Sequence, residues 1–145
     1  MAEETDKTVL AGRVWAYLFD FIIATAGHRN QVLARLGLTP NDARALSALD
    51  SEAGRTLRSL ADEWKADAST TTWIVDRLEA KGLVERRSHP TDRRAKWVVL
   101  TPQGARVKAD LLAGSYAPPP ELLELDEADL GALCEALAKL PTRRM

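Results

Sequence analysis

Cysteine is nearly missing from this sequence: Cys134 stands alone among 145 residues. One thiol excludes an intrachain disulfide and any cysteine-based zinc site. Histidine is almost as scarce, with only His28 and His89, and neither has a Cys or a second His nearby. There is no P-loop, no Gly-rich dinucleotide motif and no H-E-x-x-H. An enzyme, a bound metal and a cofactor therefore find no support, and none is expected. The N-terminal MAEETDKT lacks a secretory pattern. The most apolar run, VWAYLFDFIIATA, is interrupted by Asp20 and falls short of the roughly 20 residues that span a bilayer. No membrane partner is expected, and the chain reads as cytoplasmic.

A charge excess is also missing, since the formal net charge is −1. The molecule as a whole is thus not a basic particle, and any polyanion surface must be local. Such a surface exists. Between residues 85 and 96, Arg86, Arg87, Arg93, Arg94 and Lys96 outnumber Glu85 and Asp92, whereas residues 121–135 hold six acidic side chains and no Lys or Arg. An apolar fraction of 46% with 28% charged residues is that of an ordinary globular chain, one domain with or without an assembly extension.

Proline is absent from Val9 to Leu36, where Val14, Leu18, Phe21, Ile22, Thr25, Val32 and Leu36 recur at helical spacing before Gly37. One helix of roughly 40 Å is predicted. It is apolar around most of its circumference between Val14 and Ile23. It is either a central core helix or a helix shared with a second subunit. The pattern favours sharing, because no other long apolar element remains to bury it.

Three shorter helices follow. Thr39 and Pro40 form an N-cap and first turn, with Ala43, Leu46 and Leu49 as the buried stripe. SEAGRT reads as a turn, and LRSLADEWK places Leu57, Leu60, Ala61 and Trp64 on one face. DASTTTWIVDRLEAKG starts at a capping Asp67 and stops at Gly82. LVERRS and AKWVVLT then alternate as strands around a turn of about six residues. Thr101-Pro102 opens a helix to about Leu112, and GSYAPPP ends it. A last helix runs from Asp126 to Leu140, with Cys134 beside its leucine stripe as a buried small hydrophobe. The order is that of a winged helix. The fold class is mainly α with a small antiparallel β-hairpin (α+β), with residues 1–37 an N-terminal dimerisation helix, 38–101 a winged helix-turn-helix domain and 102–145 C-terminal dimerisation helices.

In the helix after Asp67, Thr71, Ile74, Val75 and Leu78 face the core by spacing, leaving Ser69, Thr70, Thr72, Trp73, Asp76 and Arg77 outward. Short hydroxyls at a helix start suit a phosphate or the edge of a major groove, although such residues are also common caps. The hairpin follows directly, so Arg93 and Arg94 at its tip are placed for the adjacent minor groove. Asp92 is expected to pair with a neighbouring arginine and hold the loop's shape. Arg86 and Arg87 alternate across a strand, so at most one faces the same way as the tip. A different class of reading is a winged-helix module that docks the basic hairpin and Trp73 on a protein.

The stretch VDRLEAKGLVERRSHPTDRRAKWVVLTPQG, preceded by LTPNDARAL and LADEWKADASTTTWI, resembles the MarR family of bacterial winged-helix regulators. The similarity rests on the Leu-x-x-x-Gly-Leu helix end, the D-R-R wing and the L-T-x-x-G strand exit, over about residues 30 to 105. It implies a homodimer built from the terminal helices, binding double-stranded DNA at a pseudo-palindromic operator. It also implies a repressor, released by a small, often aromatic or anionic, effector. By position, Asp92 would orient Arg94 into the minor groove. Ser69, Thr70, Thr72 and Trp73 would read the major groove, and Arg77 and Arg86 would meet the backbone. Trp73 departs from the small or basic residue common there, and the GSYAPPP break interrupts a helix that often runs unbroken into the dimer core.

Overall fold

The structure, a computed structural model, describes residues 2–141. The helices are α1 (Ala2–Ala24), α2 (Ala26–Leu36), α3 (Pro40–Ser47), α4 (Leu57–Trp64), α5 (Ala68–Ala80), α6 (Pro102–Tyr116) and α7 (Glu127–Leu137). The strands are β1 (Arg55–Thr56), β2 (Val84–Ser88) and β3 (Lys96–Leu100), and a 3₁₀ turn spans Pro120–Glu124. The chain divides into two compact units: its two ends, up to Thr25 and from Tyr116, and the segment 26–115 between them.

The single long helix predicted from the sequence is two, α1 in the terminal unit and α2 in the central one. The break falls at Thr25, whose hydroxyl donates to the Phe21 carbonyl at 2.7 Å. A side chain that bonds back one turn bends a helix, and the poor helix former Gly27 follows. Much of the apolar circumference of α1 is exposed among the described residues. Val9, Leu10, Trp15, Tyr17, Phe19 and Ile23 are all at least half exposed, as is Leu123 in the 3₁₀ turn. Cys134, expected to be buried, is exposed, and the α7 stripe beside it is only partly covered among the described residues. The expectation that the N-terminal run is too short to cross a membrane also needs correcting. The helical stretch Asp6–Leu36 is long and apolar enough by length and composition alone. The core helix of a soluble protein passes the same test of length and composition.

The central unit has the better core. Leu46, Leu60, Val75, Leu78 and Val98 are fully buried together, with Trp64, Val84 and Leu100 around them. Each such aliphatic side chain contributes roughly 1.5–3 kcal/mol by leaving water. The sheet is antiparallel in the order β1-β3-β2, with Arg86 opposite Val98 and Arg87 opposite Trp97. It has one strand more than the predicted hairpin. β1 is two residues within the predicted SEAGRT turn, pairing Arg55 with Val98 and Thr56 with Trp97. Thr56 then caps α4 by accepting the Ser59 N–H at 3.1 Å. No periodicity exists in two residues, and the pairing partner is distant in sequence. Helix α6 runs to Tyr116 instead of Leu112, since nothing before the prolines forbids helical backbone.

Candidate nucleic-acid interface

Helix α5 is built to present one face. Asp67 accepts the Thr70 N–H at 2.6 Å and the Ser69 hydroxyl at 3.0 Å, so the helix starts where the sequence predicts. These hydrogen bonds, the Thr70 N–H first, hold the Asp67 carboxyl below its ordinary value. Gly82 ends it at φ +74°, and the Leu83 N–H reaches back to the Leu78 carbonyl at 3.0 Å. Thr71, Ile74, Val75 and Leu78 are buried as expected. Ser69, Thr70 and Trp73 are exposed and Thr72 is half-buried.

Arg77, half-buried at the edge of that face, is held by a carboxylate. Its Nε lies 3.3 Å from Oδ1 of Asp42, its Nη2 donates to Oδ2 at 3.3 Å, and its guanidinium stands 5.6 Å from the Trp73 ring centre. Asp42 is 1% exposed and holds two helices at once. It completes a capping box on α3, accepting the Thr39 N–H at 2.9 Å while its own N–H donates to the Thr39 hydroxyl at 3.2 Å. Just past α5, Lys81 adds an ion pair to Asp42 at 3.3 Å and a bond to the Gly37 carbonyl at 2.6 Å. Burial pushes the Asp42 carboxyl up, but the Thr39 hydrogen bonds and the Lys81 charge outweigh it and leave the group below its ordinary value.

Arg86 is also committed. It bridges Asp76 at 2.5 Å and Glu79 at 3.0 Å, tying β2 to the outer edge of α5. Burial lowers its affinity for the proton, and the two carboxylates more than restore it. Arg87 pairs with Glu85.

The turn between β2 and β3 is held by side-chain to backbone bonds. Nδ1 of His89 accepts the N–H groups of Thr91 at 3.2 Å and Asp92 at 3.1 Å. Asp92 accepts the Arg94 N–H at 2.9 Å. It thus orients Arg94 through the main chain, not through the ion pair with an arginine that the sequence led us to expect. Behind the turn, the His89 ring meets Trp97 edge-on at 4.9 Å, and a Cβ on Gly54 would overlap the Trp97 ring. Arg93 and Arg94 are exposed, and neither guanidinium has a partner among the described residues.

Of the sequence-derived site, then, Ser69, Thr70, Thr72 and Trp73 share the open side of α5. Arg93 and Arg94 project from a built turn, and Arg77 and Arg86 are spent on carboxylates. Sequence reading missed Asp42, His89 and the carboxylate partners of Arg86. Only Asp42 had a signal, the Thr39-x-x-Asp42 spacing of a capping box. Among the described residues, no group of three or more His, Cys, Asp or Glu side chains could hold a metal ion.

Three helices, a three-stranded sheet and a basic turn beside the third helix define a winged helix-turn-helix protein. Residues 36–95 match the sequence profile of the MarR family. The chain is 26% identical over 112 residues, 77% of each chain, to the HTH-type transcriptional regulator MhqR of Bacillus subtilis. Two solved structures below 25% identity share the fold. They are the multiple antibiotic-resistance repressor MarR of Listeria monocytogenes (TM-score 0.76, 22% identical, 92% of this chain and 93% of that one) and S. aureus MepR in complex with DNA (0.64, 23%, 86% and 99%). Over residues 36–95 the chain is similar to the MarR family, and it shares that family's winged-helix fold.

Proposed function

We propose that this chain is a sequence-specific regulator of transcription that binds double-stranded DNA as a homodimer and acts as a repressor. The observation that carries the reading is the pairing of an open α5 face with a rigid turn bearing two unpartnered guanidiniums. Helix α5 enters the major groove through Ser69, Thr70, Thr72 and Trp73. The tip places Arg93 and Arg94 in the adjacent minor groove, where negative potential attracts a planar cation. Regulator names among the relatives and the fold shared with a protein solved on DNA support this. The uncovered apolar surface of α1 and of residues 123–140 supports a second copy as its cover. By this reading the terminal helices form the dimer and residues 38–101 bind the operator. Release by a small aromatic or anionic effector completes the proposal.

The test is fluorescence anisotropy on a promoter fragment from the gene's own neighbourhood, titrated in salt. Arg94→Ala should weaken binding by about 1–3 kcal/mol, and binding by the wild type should fall steeply with salt as counterions are released. Salt-insensitive binding, or an Arg94→Ala variant equal to wild type, sinks the wing assignment.

A further inference from the structure

Between residues 68 and 80, α5 has no Lys, Asn or Gln, and its one Arg is Arg77. The long side chains that grip guanine or adenine with paired hydrogen bonds are therefore missing from this helix, save one. That one is bound to the buried Asp42 carboxylate through both Nε and Nη2. The acidic residues on the same helix, Asp76 and Glu79, are held by Arg86. The Ser69 hydroxyl donates to Asp67. In the middle of the open face this leaves Trp73, 56% exposed, with the Arg77 guanidinium within cation–π range of its ring. The apolar feature that a major groove offers to such a side chain is the 5-methyl group of thymine.

We infer that Trp73 is the specificity-determining residue of α5 and reads a thymine methyl in each half-site. Arg77 is a positioning residue that fixes the indole from Asp42 and does not ligate phosphate. Both statements rest on α5 lying in the major groove. Asp42, Arg77 and Trp73 form one line from the α3 cap to the reading surface, so the indole is carried by the scaffold.

The experiment uses the full chain and a random duplex library. From the enriched duplex, each thymine is replaced in turn by deoxyuridine, symmetrically in both halves, which removes the methyl and keeps the base pair. At one symmetric position the wild type should lose about four-fold in affinity per methyl, the worth of one buried methyl-sized group. Trp73→Ala, changed at an exposed site, should bind the thymine and deoxyuridine duplexes equally. Arg77→Leu should bring the thymine preference close to one with an unchanged salt slope, whereas loss of a phosphate ligand would lower the slope by about one. A wild type indifferent to every deoxyuridine change, yet still preferring the enriched duplex, overturns methyl reading and leaves the DNA function standing. So does an equal penalty in Trp73→Ala, and a reduced slope in Arg77→Leu overturns its positioning role. Failure to enrich any duplex overturns the inference together with the function it rests on.

Discussion

Asp42 is one carboxylate that answers donors from two helices, and its loss should be felt in both. Asp42→Asn keeps the shape but removes the charge that Arg77 and Lys81 face, so it should cost about 1–3 kcal/mol in denaturant unfolding at neutral pH. Because the Asp42 carboxyl sits below its ordinary value of 3.8 in the folded chain, its contribution is complete above that value. It disappears as pH falls through the folded-state value, so the gap between wild type and Asp42→Asn should close only in acid. A gap that persists unchanged in acid would contradict the ionic role. Arg86 invites a second measurement. Arg86→Ala bares Asp76 and Glu79 beside the proposed groove, so DNA affinity should drop, and adding Asp76→Asn should recover part of it. No recovery in the double variant would mean that Arg86 itself touches DNA. Neither commitment could be read in the sequence. Asp42 lies thirty-five positions from Arg77 and Asp76 ten from Arg86, so both pairs exist only once the chain is folded.

The elements differed in how openly their residues announced them. Helices α3 and α5 were legible because each carries its own start signal, and α4 because its apolar stripe faces the same core. Helix α5 shows this best, since its buried positions and both ends follow from local chemistry. Its cap gives a test at this scale. Asp67→Ala should fray the first turn of α5, seen as faster hydrogen exchange at the Thr70 and Thr71 amides while those of Val75 and Leu78 stay protected. Uniformly faster exchange along the helix would show that the cap holds more than its own turn. Elements that depend on a single competing bond or on distant partners were hidden. The break at Thr25 comes from one hydroxyl, β1 comes from pairing with β3, and the order of the wing turn comes from one ring nitrogen of His89.

At the scale of the molecule, the near-zero net charge hides a division between a basic turn and an acidic stretch near the C-terminus, and the even apolar content hides an uncovered N-terminal helix. The second should decide oligomeric state. A double variant Trp15→Glu, Ile23→Glu places charge on the exposed side of α1, and should shift sedimentation from dimer to monomer while leaving the 26–115 unit folded by circular dichroism. Retention of the dimer would move the interface elsewhere. The central unit keeps its supports, Asp42, Arg86, His89 and the Gly54–Trp97 contact, behind or beside the proposed reading surface, and leaves the outer positions 69, 70, 72 and 73 out of the core. Replacing those four residues therefore disturbs little that folding requires. Under the proposed function, a gene copy of this chain could drift to a new regulatory target by a few surface changes, and that separation of frame from reading head is an inheritance on which divergence of paralogues can draw.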